Sequence, residues 1–426
     1  MRVSLLGFGL VACSVTPSVP GVPPTTQSPE NPTNPTDPMD PTDPKDPANP
    51  TDPTDCPLIE QFADVDRDGF GDRSDRVEDC DILPGRVTNG EDCRDDDPNI
   101  YPGAPERCNA IDDDCNPTTP GEGVGFEDIT GWSDLTASFA AGTATTPTTE
   151  SLLNDGTLHV CAGRWFVGLD IQANVDIVGD PSGGAVVFDG EDIISGILVD
   201  DGARVTLEDL RLEEFMGGSY GASLGSALGC GNGSTVVARN VEFFDNESLV
   251  GGAVWARSGC DLTLENTTFR DNQSAFGGGH LAVQGSTAVV DNSSFGGGIT
   301  LSEGGAILVV AGGGNAASLT CTDCELDANE AGTDGGGIAV LGPDANVVMT
   351  GGEITDSLAG NLGGGVYLFT ANDQVTTSIS FSNTSFGPNV TQGEESDVYY
   401  FANEFFNLNY TYNGVTTVFC NQYGCI

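Results

Sequence analysis

From about residue 150 to residue 390 the chain is written in short runs in which apolar and polar residues alternate. Ser234–Arg239 reads STVVAR, Asp261–Glu265 reads DLTLE and Ala345–Thr350 reads ANVVMT. An apolar residue at every second position predicts a strand with one buried face. The breaks between runs are rich in Gly and Asn, the residues that tolerate left-handed turns. Two marks recur. One begins at Gly225, Gly251, Gly277, Gly304, Gly335 and Gly363, at spacings of 26, 26, 27, 31 and 28 residues. The other lies between them, as in Asn240-Val-Glu-Phe-Phe-Asp-Asn246, Asn266-Thr-Thr-Phe-Arg-Asp-Asn272, Asp323-Cys-Glu-Leu-Asp-Ala-Asn329 and Asn383-Thr-Ser-Phe-Gly-Pro-Asn389. Each period has room for three short strands and three turns. Such a unit buries its apolar face only by stacking on its neighbours. After residue 150 proline occurs only at Pro181, Pro343 and Pro388, as continuous hydrogen-bonded ladders require.

These GGA(I/V) and FxxN marks resemble the repeats of polymorphic outer-membrane proteins. The whole region resembles the pectate-lyase-like right-handed β-helix group, and Leu158–Ile171 with Val175–Gly179 looks like its first rungs. The resemblance implies a mainly β protein, a right-handed parallel β-helix (solenoid) over 126–395. A β-propeller fits less well, because its blades run to ~40 residues or more. The aromatic-rich tail, 396–426, is expected to cap the open end.

Upstream lies a different kind of sequence. Residues 56–125 hold 19 acids and 6 arginines, and a segment this short buries little apolar area without metals or disulfides. Its centre reads Asp64-Val-Asp66-Arg-Asp68-Gly-Phe70-Gly-Asp72. Alternate carboxylates followed by Gly suit a hard, oxygen-seeking cation. With Asp64 as position 1, Asp66 and Asp68 fall at 3 and 5, the Phe70 carbonyl at 7, Asp72 at 9 and Asp75 at 12. An EF-hand has a Glu at 12 and amphipathic flanking helices; neither is present. The loop resembles thrombospondin type-3 and dockerin-type calcium loops. Glu91–Cys115 continues with an EDCRDDD run and YPGAPERCNAIDDDC. The whole module is similar to a bacterial metal-binding motif family, whose pattern is DxDxDGxGD, then a DCDD-type run, then YPGAxExCxGxDxDC. Arg94 and Ala110 depart from that pattern. The resemblance implies metal, and adds Asp95, Asp97, Asp112 and Asp114 as candidate ligands. No His lies between 56 and 125, so the donors are oxygens and the expected cofactor is calcium.

The chain begins MRVSLLGFGLVAC. A positive start and a short apolar run predict an export signal rather than a membrane span, which takes ~20 residues. Leu10-Val-Ala-Cys13 resembles a bacterial lipobox, in which Cys13 is lipidated. Residues 14–55 form a Pro/Asp/Thr-rich linker with a three-residue beat that favours polyproline II. Extended at ~3.1 Å per residue, it reaches on the order of 130 Å. Export permits disulfides among the other cysteines. Cys56, Cys80, Cys93, Cys108, Cys115 and Cys161 form one group, whose 15 connectivities stay open. Cys230 with Cys260, Cys321 with Cys324 and Cys420 with Cys425 form smaller groups.

A formal charge of −50 excludes partners tracked through phosphate, so no nucleic acid is expected. Lys45 is the only lysine and falls in the linker, which removes lysine chemistry from any folded part. His159 and His280 are the only histidines, and each reads as structural. A lyase needs a base beside held substrate carboxylates, and the six arginines after 126 are scattered. A hydrolase needs paired carboxylates; Asp200, Asp201, Glu213, Glu214, Asp245 and Asp271 are available, but acids are abundant everywhere. No catalytic residue is assigned. The expected protein is exported and lipid-anchored, with a calcium module and a β-helix that binds glycan or protein at the cell exterior. A carbohydrate-active enzyme on the same fold and a calcium-sequestering envelope protein are the alternatives.

Overall fold

The computed structural model describes residues 57–104, 108, 111–116, 123–217, 226–369 and 377–391, and short strands up to residue 425. Expectations for the signal, the linker, Cys56 and the Cys420–Cys425 pair lie outside the described residues and side chains.

From residue 124 onward the chain is a parallel β-solenoid of about eight turns. One long face is an eleven-stranded sheet, which includes Gly156–Cys161, Val175–Asp180, Arg204–Glu208, Thr235–Arg239 and Asp261–Glu265. A nine-stranded and a ten-stranded sheet form two further faces. The alternation of the sequence sets the register. Val236, Leu262, Ala288, Leu319, Val347 and Ile379 align across successive rungs, and all point into the core. On the second face Phe243, Phe269 and Phe295 stack at centroid distances of 4.6 and 4.5 Å, with their rings nearly parallel. Two disulfides, Cys230–Cys260 and Cys321–Cys324, lie within the stack.

The expected three strands per rung become four from residue 247 on. Two-residue strands, Glu247–Ser248, Gln273–Ser274 and their successors, form a seven-stranded sheet of their own. Several of them follow the Asn that ends an FxxN mark. That Asn is buried and ties rungs together. Asn246 Nδ2 donates to Leu212 O, and Asn246 Oδ1 accepts from Phe215 N. Asn272 Nδ2 donates to Phe243 O, and Asn272 Oδ1 accepts from Asn246 N. Asn329 and Asn389 repeat the pattern further along. A buried side-chain amide satisfies backbone groups at a turn where no strand partner exists.

The ladder has one gap. The rung between Asn272 and Asn329 carries Gly298 where the others carry a polar side chain, and the His280 imidazole occupies that space. A Cβ on Gly298 would lie 2.5 Å from the ring. Asn272 Nδ2 donates to His280 Nδ1 at 2.9 Å, and His280 Nε2 donates to Asn329 Oδ1 at 3.1 Å. Those partners fix the neutral tautomer with hydrogen on Nε2. Burial pushes the pKa of this ring down to about 3.

The first strand of the stack is antiparallel. Val124–Asp128 and Gly131–Asp134 form a hairpin laid on Gly156–Cys161. It covers an edge that would otherwise offer free backbone groups. Behind it the short helix Thr136–Phe139 inserts Phe139, which is buried against Trp165 and Phe188. At the far end Val398–Phe401 pairs in parallel with Val366–Phe369, so the ladder continues into the segment expected to cap it.

Candidate metal centre

The acidic module has almost no apolar core. Among its described residues only Phe62, Ile100 and Ala104 are buried hydrophobics. A three-stranded sheet, with Ile59–Ala63 in the middle between Asp72–Asp79 and Arg86–Val87, frames the loop. Gln61 is buried; its Oε1 accepts from Leu83 N and its Nε2 donates to Asp81 O. Two disulfides hold the rest. Cys93–Cys115 closes the second half, and Cys108–Cys161 ties it to the first rung of the solenoid.

The aspartate loop folds on its own carboxylates. Asp64 Oδ1 accepts from Arg67 N, Asp66 Oδ1 from Asp68 N, and Asp68 Oδ1 from Phe70 N. Arg67 and Gly69 take positive φ, 72° and 100°, so the chain reverses within a few residues. Gly71 then lies against the central strand, where a Cβ would come 2.6 Å from Ala63 O. That close approach lets Asp92 N donate to Gly71 O, and a parallel bridge forms between Asp72 and Asp92. The second acidic run is thereby delivered to the loop. Asp95 Oδ1 accepts from Val65 N, and Asp92 Oδ1 from Arg94 N.

Two clusters result. Asp64, Asp66 and Asp95 place one carboxylate oxygen each within 4.8 Å of one another, and so do Asp66, Asp68 and Asp92. Asp66 belongs to both. Asp66, Asp68 and Asp92 each spend Oδ1 on a backbone N–H, while Oδ2 is buried with no hydrogen-bond partner. Buried carboxylate oxygens without a donor are costly. Burial first, and then neighbouring carboxylates, push the pKa values of Asp66, Asp92 and Asp95 up. A cation would supply what these oxygens lack.

The other expected ligands sit elsewhere. Asp72 caps the next strand; its carboxylate accepts from Ser74 N and Oγ, which lower its pKa. Asp75 lies on the strand Asp72–Asp79 and pairs with Arg86 at 2.7 Å, because the chain has gone extended where an EF-hand would coil. Phe70 stacks on Tyr101, with centroids 5.6 Å apart. Asp97 Oδ1 accepts from Asn99 N and Nδ2. Asp112 and Asp114 both accept from Asn116 N, in the segment whose Asp113 and Asp114 carbonyls bind Tyr101 N and Gly103 N. None of these five aspartates joins the two carboxylate clusters. Asp92 was the residue that sequence spacing missed. Its signal is its place beside Cys93, but its partners lie more than twenty residues away along the chain.

Outside the module the arginines other than Arg204 pair with carboxylates. Arg164 pairs with buried Asp189 and with buried Glu213, which also pairs with Arg211. Arg257 pairs with Asp200. Asp201, Glu214, Asp245 and Asp271 all take positive φ, between 50° and 60°. Their positions are those of turn residues; the short side chains of the three aspartates tolerate that backbone.

The fold and the site define a disulfide-tied, carboxylate-rich metal-binding segment joined to a β-solenoid. Residues 92–119 match the family model Cu-binding MopE, described as "Putative metal-binding motif". The match takes in the Cys93–Cys115 loop and stops short of Asp64–Asp72. A comparison with curated proteins found no match, and one with solved structures found none.

Proposed function

We propose that the protein is a cell-surface scaffold, anchored by lipid on Cys13, in which calcium orders the module and the solenoid presents its ladder surface to glycan or protein. The observation that carries the metal half is the set of three orphaned oxygens on Asp66, Asp68 and Asp92. Copper, which the name of the matching family model mentions, fits these donors poorly. Copper favours imidazole, thioether and thiolate. Residues 56–125 contain no His and no Met, and Cys80, Cys93, Cys108 and Cys115 are in disulfides. Carboxylates and carbonyls suit calcium.

The linker and the shape of the solenoid support the surface role. A spacer of 42 residues lifts the folded part from a membrane, and a long ladder offers an extended surface rather than one deep cleft. The test uses the exported protein. Asp66→Ala and Asp68→Ala are expected to lower calcium affinity roughly tenfold or more, each removing a charged ligand, and to open the 64–72 loop to protease. Unchanged affinity in both variants would sink the assignment.

A further inference from the structure

At the first rung the outer surface of the long sheet carries a cavity of about 570 Å³. Its floor is made by Val124–Asp128, Gly156–Cys161 and Val175–Asp180, and the Cys108–Cys161 disulfide and Pro181 stand at one end. Trp132 is half-buried there. It lies across Gly125, where a Cβ would fall 1.8 Å from its ring. Only a residue without a side chain lets the indole settle onto the strand. His159, the direct partner of Gly125 on the next strand, stands beside the indole with centroids 5.5 Å apart and planes tilted by 34°. Glu127 Oε2 is 3.9 Å from His159 Nε2, and Asp180 lies at the opposite rim.

From this arrangement we infer that the cavity is a binding site for a neutral sugar. A pyranose has an apolar face of C–H groups and a rim of hydroxyls. A flat aromatic body takes the face, and acceptors and donors around it take the rim. Trp132 supplies the platform, Glu127 and Asp180 accept from hydroxyls, and His159 donates or accepts. The volume lies in the range of small-ligand sites, ~300–1,000 Å³. The acidic rim in a chain of charge −50 disfavours uronates and phosphorylated sugars. A single indole beside a tilted imidazole forms a platform, whereas a quaternary ammonium is held by a cage of several rings. The inference rests on the reading of the solenoid as a glycan-presenting surface, and locates the contact.

The test follows tryptophan fluorescence of the calcium-loaded protein during titration with short neutral glucan, mannan, galactan and chitin oligomers. At least one series is expected to give a saturable change. Trp132→Ala should weaken it roughly tenfold or more, as loss of a central aromatic contact does. Gly125→Val keeps the indole but displaces it, and should do the same with an unchanged circular dichroism spectrum. A panel with no Trp132-dependent response overturns the proposal. So does a response to tetramethylammonium in place of sugar, which would make the site one for organic cations. Sugar binding that survives both variants moves the glycan site elsewhere on the solenoid and leaves the broader reading standing. A calcium titration of the same sample separates the two halves: calcium bound without sugar fails the pocket alone, and sugar bound without calcium fails the metal centre alone.

Discussion

The two halves of the described chain use the same abundant acids to opposite ends. In the solenoid, carboxylates lie at turns and on the outward faces of strands, and the buried Asp189 and Glu213 are neutralised by Arg164 and Arg211. Stability there comes from stacked Val, Leu, Ile and Phe, with each rung the template for the next. In the module, carboxylates converge, and only three apolar side chains are buried. The chain that builds a core can keep charges outside it. The chain that lacks one brings charges together and relies on disulfides and an ion to hold them.

Removing metal should separate the halves most sharply. A chelator is expected to make 57–104 accessible to protease within the intact chain, while amides of the solenoid core keep their hydrogen-exchange protection. Loss of protection in both halves together would show that the solenoid depends on the module.

The solenoid has its own weak points, and they are apolar. Phe269 lies between Phe243 and Phe295 in the stack, so Phe269→Ala should cost about 3–5 kcal/mol. Because rungs couple mainly to neighbours, the loss of protection should centre on residues 243–295. An equal loss at both ends of the stack would contradict that.

His280→Ala removes partners from Asn272 and Asn329 and should cost about 2–4 kcal/mol, combining unmet polar groups with a cavity. The double variant H280A/G298N restores an Asn to the empty rung and places Ala where the neighbouring marks have Ala253 and Ala306. It should recover part of that loss, since the new Cβ still meets Gly305 O at 2.7 Å; a stability unchanged from His280→Ala would show that His280 does more than fill the ladder.

The same histidine gives the effect that is smallest near neutral pH, a pH dependence. The unfolded chain takes up a proton near ~6.5, whereas the buried ring resists until about 3. Below 6.5 the unfolded state binds more protons, so stability falls as pH drops through that window. The slope is at most ~1.4 kcal/mol per pH unit. This contribution is fully retained above 6.5. Wild type should show the slope relative to H280A/G298N; parallel curves would exclude it.

Much of the solenoid was legible because its physics is local and repeats. Alternation placed strands such as Asp261–Glu265 and Ala345–Thr350, and Asn and Asp at the breaks took the left-handed turns expected of them at Asn240, Asn266, Asn292 and Asn383. The fourth face was not legible, because two-residue strands carry no period. The bridging role of His280 was hidden for another reason: its partners come from residues 8 and 49 positions away. In the metal centre the loop Asp64–Asp68 was readable from spacing, since those carboxylates cap their own turn. Asp92 and the diversion of Asp75 to Arg86 were not. Both follow from the sheet pairing of Asp72–Asp79, a tertiary event that a loop template borrowed from another scaffold leaves out.

The central claim is that oxygen donors from two acidic runs share a hard cation through Asp66. The most direct measurement is a competitive metal titration of the exported protein, calcium against copper, with wild type and the Asp92→Asn variant. The account predicts saturable calcium binding that copper at equal concentration does not displace, weakened roughly tenfold by Asp92→Asn as a charged ligand is lost. Copper binding that displaces calcium, or a calcium isotherm indifferent to Asp92, would contradict it.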